Sequence, residues 1–271
     1  MSLDLWDVGT YDADIEDWLH RHKSLILGYF DFEKKRDEEM EKEARWSASP
    51  PNPYSADYLR AREDLAGILA SKEIRVFHYS RMTDREVKSL VSNGIVPTSS
   101  SFLKERIDHI VEEGLLSKEQ GGRIFAESPL HFADSGIRKG FWTTTVPFQP
   151  SDGAVNLLVG FWGGESAYWR FTGARDEGML DVLRGIGRGR ILEILVPLLN
   201  ANSGRAAFSV GEVVIKQYAQ SLGCELWPEG RDICVDHTIP GSKVLRVHSE
   251  GEKTYSQFGK TYPESYSPPN A

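Results

Sequence analysis

His78 and Tyr79 stand at the end of a short apolar strand, Ile74-Arg-Val-Phe-His-Tyr-Ser-Arg81. That puts an imidazole and a phenol where a scaffold presents chemistry rather than burying it. Two glutamates are candidates for a carboxylate to work beside them. Glu212 heads the apolar run Val210-Gly-Glu-Val-Val-Ile215, which reads as a strand. Glu165 lies in Phe161-Trp-Gly-Gly-Glu-Ser-Ala-Tyr-Trp169, where aromatics flank a double glycine. Glycine admits special backbone angles or the close approach of a ligand, so Glu165 can line a pocket for a base or serve as the catalytic carboxylate. Trp142 and Thr144 belong to Gly140-Phe-Trp-Thr-Thr-Thr145, an aromatic and hydroxyl-rich strand. Plainer readings stand beside each of these. His78 can be a strand-end polar group bonded locally, Glu212 a carboxylate facing water, the Glu165 string a turn covered by tryptophans, and Trp142 with its threonines ordinary strand formers.

Other signals are weaker. Arg184-Gly-Ile-Gly-Arg-Gly-Arg190 combines glycine and arginine, which both suit anions. A strand follows it, however, where a dinucleotide fingerprint needs a helix, so a helix-to-strand turn is expected. Cys224, Cys234 and His237 are loosely spaced and contain no CxxC pair, so the cysteines read as reduced thiols. Ser166 has no partner histidine nearby in sequence to make a nucleophilic triad. His20 and His22 lie two apart and therefore on different faces of a helix.

The elements that must position these groups can be read from periodicity and caps. Thr83-Asp-Arg-Glu86 is a capping box, in which each of Thr83 and Glu86 satisfies a backbone donor at a helix start. Val87, Leu90 and Val91 give that helix one apolar face, and Gly94 stops it. A helix over about 100–113 turns Phe102, Leu103, Ile107, Ile110 and Val111 inward, and Ser117 with Gln120 opens another. Upstream, Ile15, Trp18, Leu19, Leu25, Ile26 and Phe30 form a helical stripe within 13–46, and Glu33 to Arg45 is almost all charge, as on a solvated helix. A further helix covers 56–71. Ser47-Ala-Ser-Pro-Pro-Asn-Pro-Tyr54 reads as a stiff linker and the best domain boundary. The expected division is an acidic helical segment over 1–55 and a main domain over 56–271. Strands are expected at 141–146, in part of 155–162, and at 190–197, 210–217 and 242–248, with a helix at 176–184. Helices gather early and strands late, which is the pattern of an α+β fold.

With 271 residues, a formal charge of −8 and 27% charged residues, the chain reads as an ordinary globular protein lacking the basic footprint of a nucleic-acid binder. Its sequence holds no window of about 18 apolar residues, so no membrane span is expected. No cationic-then-apolar leader opens it, so a cytoplasmic location is expected, with a secreted effector role left open.

Taken together, Phe77-His78-Tyr79 with Gly94-Ile-Val-Pro97, Gly140-Phe-Trp-Thr-Thr-Thr145 and Gly211-Glu212-Val-Val-Ile215 resemble the ADP-ribosyltransferase superfamily. The resemblance spans about 75–250. It implies two packed, mostly antiparallel sheets with flanking helices, holding NAD as substrate. On that pattern His78 binds a ribose of NAD, Trp142 stacks on nicotinamide, and Glu212, or Glu165 in its place, stabilises the cation that forms as nicotinamide leaves. Tyr79 and Thr144 would lie against the cofactor, and Arg75 would reach phosphate. Departures from the family pattern are the tryptophan at the second motif and Val210-Gly211 where the family has a Glu-x-Glu. The implied activity is ADP-ribosyl transfer to a protein or nucleic-acid acceptor, with the N-terminal helix available to a partner. Two alternatives are an RNA 2′-phosphotransferase on the same fold, which predicts clustering of Arg75, Arg81, Arg138 and Arg190, and a binding domain without turnover. The chemistry is coherent in itself. Cleaving a glycosidic bond passes through an oxocarbenium-like state that needs an ionised carboxylate near the ribose and oriented hydrogen-bonding groups, and no metal.

Overall fold

The computed structural model describes residues 3–43, 50–132, 140–200, 205–264 and 266–269. Within them the chain forms two compact units, Met1–Arg75 with Pro197–Arg231, and Val76–Val196 with Asp232–Ala271. No helix among the described residues is long and apolar enough to cross a membrane.

The first unit is helical. Helices α1 (Ala13–Glu43), α2 (Ser55–Leu69) and α9 (Arg205–Ser221) pack on one another. The 3–4 spacing of Ile15, Trp18, Leu19, Ile26 and Phe30 buries one face of α1. Tyr29 lies flat on Tyr58 of α2, ring centroids 3.9 Å apart. The charged end of α1 carries the pairs expected of a solvated helix, Lys35 with Asp31 at 2.7 Å and Arg36 with Glu33. Residues 44–49, which cover the end of the expected helix and the start of the expected linker, lie outside the described residues. Beyond them Asn52 is buried, donating to the Tyr29 carbonyl at 3.1 Å and to Glu33 at 2.8 Å. The proline-rich stretch thus runs between two helices of one unit, and the compact units part near residues 75, 196 and 231 rather than at 55.

Residues 210–217, expected as a strand, are the middle of α9. The β-branched run misleads because it is short. Ala207, Val210, Val214 and Tyr218 continue a 3–4 spacing on both sides, and all are buried. Gly211, expected at a strand head, instead faces α2 from within α9, where an added Cβ would make only ordinary contact with Leu65 and Leu69 at 3.7 Å.

Among the described residues the second unit carries a single five-stranded sheet rather than two sheets, flanked by helices: the α+β class holds and the sheet count does not. The correction follows from the elements. Residues 210–217 are helical, and 155–162 contain the short helix α6 (Asn156–Gly160) rather than a strand. The strands are β1 (Glu73–Met82), β2 (Phe141–Thr144), β3 (Arg188–Pro197), β4 (Asp232–Val235) and β5 (Val244–Ser249), in the order β4-β2-β1-β3-β5. Pairing is antiparallel between β1 and β2, β2 and β4, and β3 and β5. β1 is central, so His78 and Tyr79 lie in mid-sheet rather than at a free edge.

Helices α3 (Asp84–Asn93), α4 (Ser100–Glu112), α5 (Lys118–Glu127), α7 (Glu165–Ala174), α8 (Glu177–Gly185) and α10 (Lys253–Gln257) complete the unit. Both expected capping boxes form, Thr83 with Glu86 on α3 and Ser117 with Gln120 on α5. Gly94 ends α3 at φ +90°, where any Cβ would collide with the Ile239 carbonyl. Leu103, Ile107 and Ile110 of α4 share a core with Ile124, Trp162, Phe171 and Leu183.

Candidate functional site

The arrangement around His78 begins with strand parity. Side chains alternate across a sheet, and directly paired residues share a face. The register Phe77↔Thr144 therefore puts Trp142 and Thr144 on the face of Phe77 and Tyr79. Phe141 and Thr143 fall on the opposite face with His78, and the His78 ring stacks on Phe141 at 4.0 Å. Trp142 is 40% exposed while its neighbours Phe141 and Thr143 are buried. His78 and the Trp142 ring thus point to opposite sides of the sheet and cannot grip one ribosyl-nicotinamide between them.

The Trp142 backbone does reach His78, through a contact of 2.7 Å between His78 Nδ1 and the Trp142 carbonyl. A carbonyl only accepts, so Nδ1 carries the proton and Nε2 presents a lone pair. Among the described residues Nε2 has no hydrogen-bond partner. Burial pushes the imidazole down to about 4; the Trp142 hydrogen bond acts against that shift, and the charge of Arg106 adds to it. His78 is consequently neutral near pH 7, an acceptor for a hydroxyl or a base.

A pH dependence follows. With a folded value near 4 against 6.5 for the free side chain, the unfolded chain takes up this proton first as pH falls. The contribution is complete above about pH 6.5 and is lost progressively toward pH 4. His78→Asn is expected to remove roughly 2 kcal/mol from the fall in unfolding free energy between pH 7 and pH 5. Urea titrations of both proteins at each pH measure it, and parallel curves would refute the neutral, partly buried imidazole.

Arg106 was not among the residues singled out from sequence. It sits on the inward stripe of α4, three residues after Leu103 and one before Ile107, and an arginine in an apolar slot is the signal that could have found it. Its Nε donates to Glu86 at 2.8 Å, and its guanidinium lies 4.9 Å from the Trp162 ring centroid. Glu86 also accepts from the Thr83 backbone at 2.8 Å and from Trp162 Nε1 at 3.0 Å. Burial would raise this carboxyl, but the Arg106 charge and these hydrogen bonds hold it below the ordinary value. The capping box and the Trp-Gly-Gly-Glu string, separate features in sequence, therefore meet at one carboxylate. The Trp162 backbone also bridges to Arg81 on β1.

Glu165 opens α7 directly after Gly163 (φ +83°) and Gly164 (φ +63°), backbone angles that side-chain-bearing residues rarely adopt. It is partly accessible, and a helix N-terminus favours an ionised carboxylate. Ser166 Oγ donates to the Gly163 carbonyl at 2.8 Å, closing the turn.

The other expected residues are occupied elsewhere. Tyr79 Oη donates to the Phe148 carbonyl at 2.9 Å and accepts from the Phe148 amide at 2.7 Å, a buried staple. Thr144 Oγ1 donates to the Val146 carbonyl at 2.8 Å. Arg75 belongs to the first unit and pairs with Asp4 at 3.0 Å. Glu212, on a helix of the first unit, meets Arg62 at 2.7 Å, Arg231 at 2.9 Å and Lys216 at 3.3 Å. Burial would raise its carboxyl, but the Arg231 hydrogen bond and the three cations hold it low. Arg81 and Arg190 both belong to the second unit, where Arg81 pairs with Glu250 at 2.9 Å and Arg190 with Asp84. Arg138 lies outside the described residues. Among the described residues no group of histidine, cysteine and acidic side chains is arranged to hold a metal. Comparison with protein-family models, with curated proteins and with solved structures finds no match for this chain.

Proposed function

We infer that this chain transfers ADP-ribose from NAD to a protein or nucleic-acid acceptor, releasing nicotinamide, at the His78 side of the sheet in the second unit. The observation that carries this is the fixed tautomer of His78. With Nδ1 donating to the Trp142 carbonyl, Nε2 is a neutral acceptor suited to a ribose hydroxyl. Glu165 is the carboxylate that best fits the role, since it lies in the same unit as His78, begins a helix and is partly accessible, whereas Glu212 belongs to the first unit. The bond between the anomeric carbon and the nicotinamide nitrogen breaks with its electron pair going to nicotinamide. Glu165 stabilises the oxocarbenium-like cation, and the acceptor nucleophile forms the new bond as its proton passes to a base. Stacking by Trp142 and phosphate binding by Arg75 drop out of this scheme.

Incubation with labelled NAD and a cell lysate tests it, alongside calorimetry with NAD. Labelled acceptor and measurable NAD binding are expected; absence of both overturns the assignment. NAD binding with no labelled acceptor would point instead to a binding domain.

A further inference from the structure

The sheet face opposite His78 carries a patch that ADP-ribosyl transfer leaves unused. Between β2 and β4 the register pairs Trp142 with Cys234 and Thr144 with Asp232. Directly paired residues share a face, so these four side chains stand together. On β1 the same face is closed, since Phe77 and Tyr79 are buried and the Phe258 ring packs against both, with centroids 5.2 and 6.4 Å away. It opens at β2, where Trp142 is 40% exposed, and at the edge strand β4, where Asp232 is exposed. Gly140, on the Trp142 face, adds no side chain to this opening, and a Cβ there would collide with the Cys234 thiol.

The patch offers acceptors and a π face. Among the described residues no hydrogen bond or ion pair engages the Asp232 carboxylate. Partial loss of water raises this carboxyl above the ordinary aspartate value, and no neighbouring charge counters the shift. Thr144 Oγ1 spends its proton on the Val146 carbonyl at 2.8 Å, which leaves it lone pairs only. The face of an indole attracts cations. Trp142 and Asp232 are diagonal neighbours, about 7–8 Å apart at Cβ, a separation that a flat cation stacked on the ring can bridge. A guanidinium is planar, weakly hydrated and able to stack and donate at once, whereas an ammonium is a hydrated point charge.

We propose that this patch docks an arginine side chain of a protein partner, its guanidinium lying on the Trp142 ring and donating to the Asp232 carboxylate. Charge selects the occupant: a chain of formal charge −8 repels nucleic acid and anionic lipid and attracts a basic segment. An open face at a sheet edge suits a side chain delivered by a larger body, because a free small ligand needs a pocket that buries most of its surface. The docking surface lies across the sheet from His78 and does not rest on the NAD assignment.

The test titrates the full-length chain with acetyl-Gly-Arg-Gly-amide and acetyl-Gly-Lys-Gly-amide by nuclear magnetic resonance. The Trp142 indole signal is assigned by its loss in Trp142→Phe. The arginine peptide is expected to move that signal saturably, and its own δ-methylene protons should shift upfield under the ring. The lysine peptide should bind several-fold more weakly. Asp232→Asn, which keeps the side-chain shape and so guards against a folding defect, is expected to weaken arginine binding by at least ~10-fold, as for loss of a charged hydrogen bond. Trp142→Leu is expected to abolish the upfield shift, which a merely structural tryptophan would not produce. No saturable movement by the arginine peptide, or undiminished binding by Asp232→Asn, overturns the proposal. Equal binding of the lysine peptide overturns the arginine assignment. Movement of the Trp142 signal by nicotinamide mononucleotide and not by the arginine peptide overturns the proposal and returns Trp142 to nicotinamide.

Discussion

Replacing His248 with alanine is expected to lower the unfolding free energy by about 3 kcal/mol or more, from the loss of its buried hydrogen bond to Glu193 together with the cavity left behind. His248 is 0% and Glu193 2% exposed, and His248 Nε2 meets Glu193 Oε1 at 2.6 Å. The register Ile191↔His248 makes them diagonal neighbours on one face of β3 and β5, with the Phe258 ring tilted against the imidazole, centroids 4.9 Å apart. Alanine would leave the carboxylate in place, take away this donor and open a cavity beside Phe258. Pairing explains the loss better than volume alone if Glu193→Gln also destabilises and the double variant costs less than the sum of the single changes. Urea denaturation of the four proteins measures this. A loss below about 1 kcal/mol for His248→Ala, or strict additivity, would show that the pair contributes little.

That pair was invisible in sequence because its members are 55 residues apart and each looks ordinary in its own strand. The features legible in the chain were those whose physics is local. Thr83 with Glu86 and Ser117 with Gln120 reach only their own helix starts, and both boxes form as read. Gly94 is required by one backbone angle and one close approach. Strand parity is not local. Whether Trp142 shares a face with His78 depends on the register Phe77↔Thr144, and a slip of one residue would have reversed the outcome. Likewise Arg106 and Trp162 join Glu86 only because α4 and the turn before α7 fold onto the start of α3. Ile233 and Val235 do alternate as a strand should, but four residues give too short a signal to read.

The two candidate carboxylates are expected to separate cleanly on substitution. Glu212→Gln should reduce stability and spare ADP-ribosyl transfer; Glu165→Gln should do the reverse. In the first unit Arg62, Arg231 and Lys216 converge on Glu212, and Arg62 also packs over the Phe208 ring at 3.8 Å. Removing the charge leaves three cations facing one another around a partly buried amide, with Glu229 still pairing two of them. A loss of about 1–3 kcal/mol is expected from the charged hydrogen bonds. Because the carboxylate is held below its ordinary value, this stability is present above the unfolded carboxyl pKa and is lost as pH falls through the lower folded one. The difference between wild type and Glu212→Gln should therefore shrink in acid. Glu165 lies in the second unit with His78, and its place at the first turn of α7 suits it to face a developing positive charge. Loss of one preorganised electrostatic contact at a reacting centre typically costs about 100- to 1,000-fold in kcat, so Glu165→Gln should abolish detectable labelling while melting within a few degrees of wild type. Melting curves and labelled-NAD transfer, run on both variants, measure the two effects independently. Full activity in Glu165→Gln with none in Glu212→Gln would return the catalytic role to the helix of the first unit.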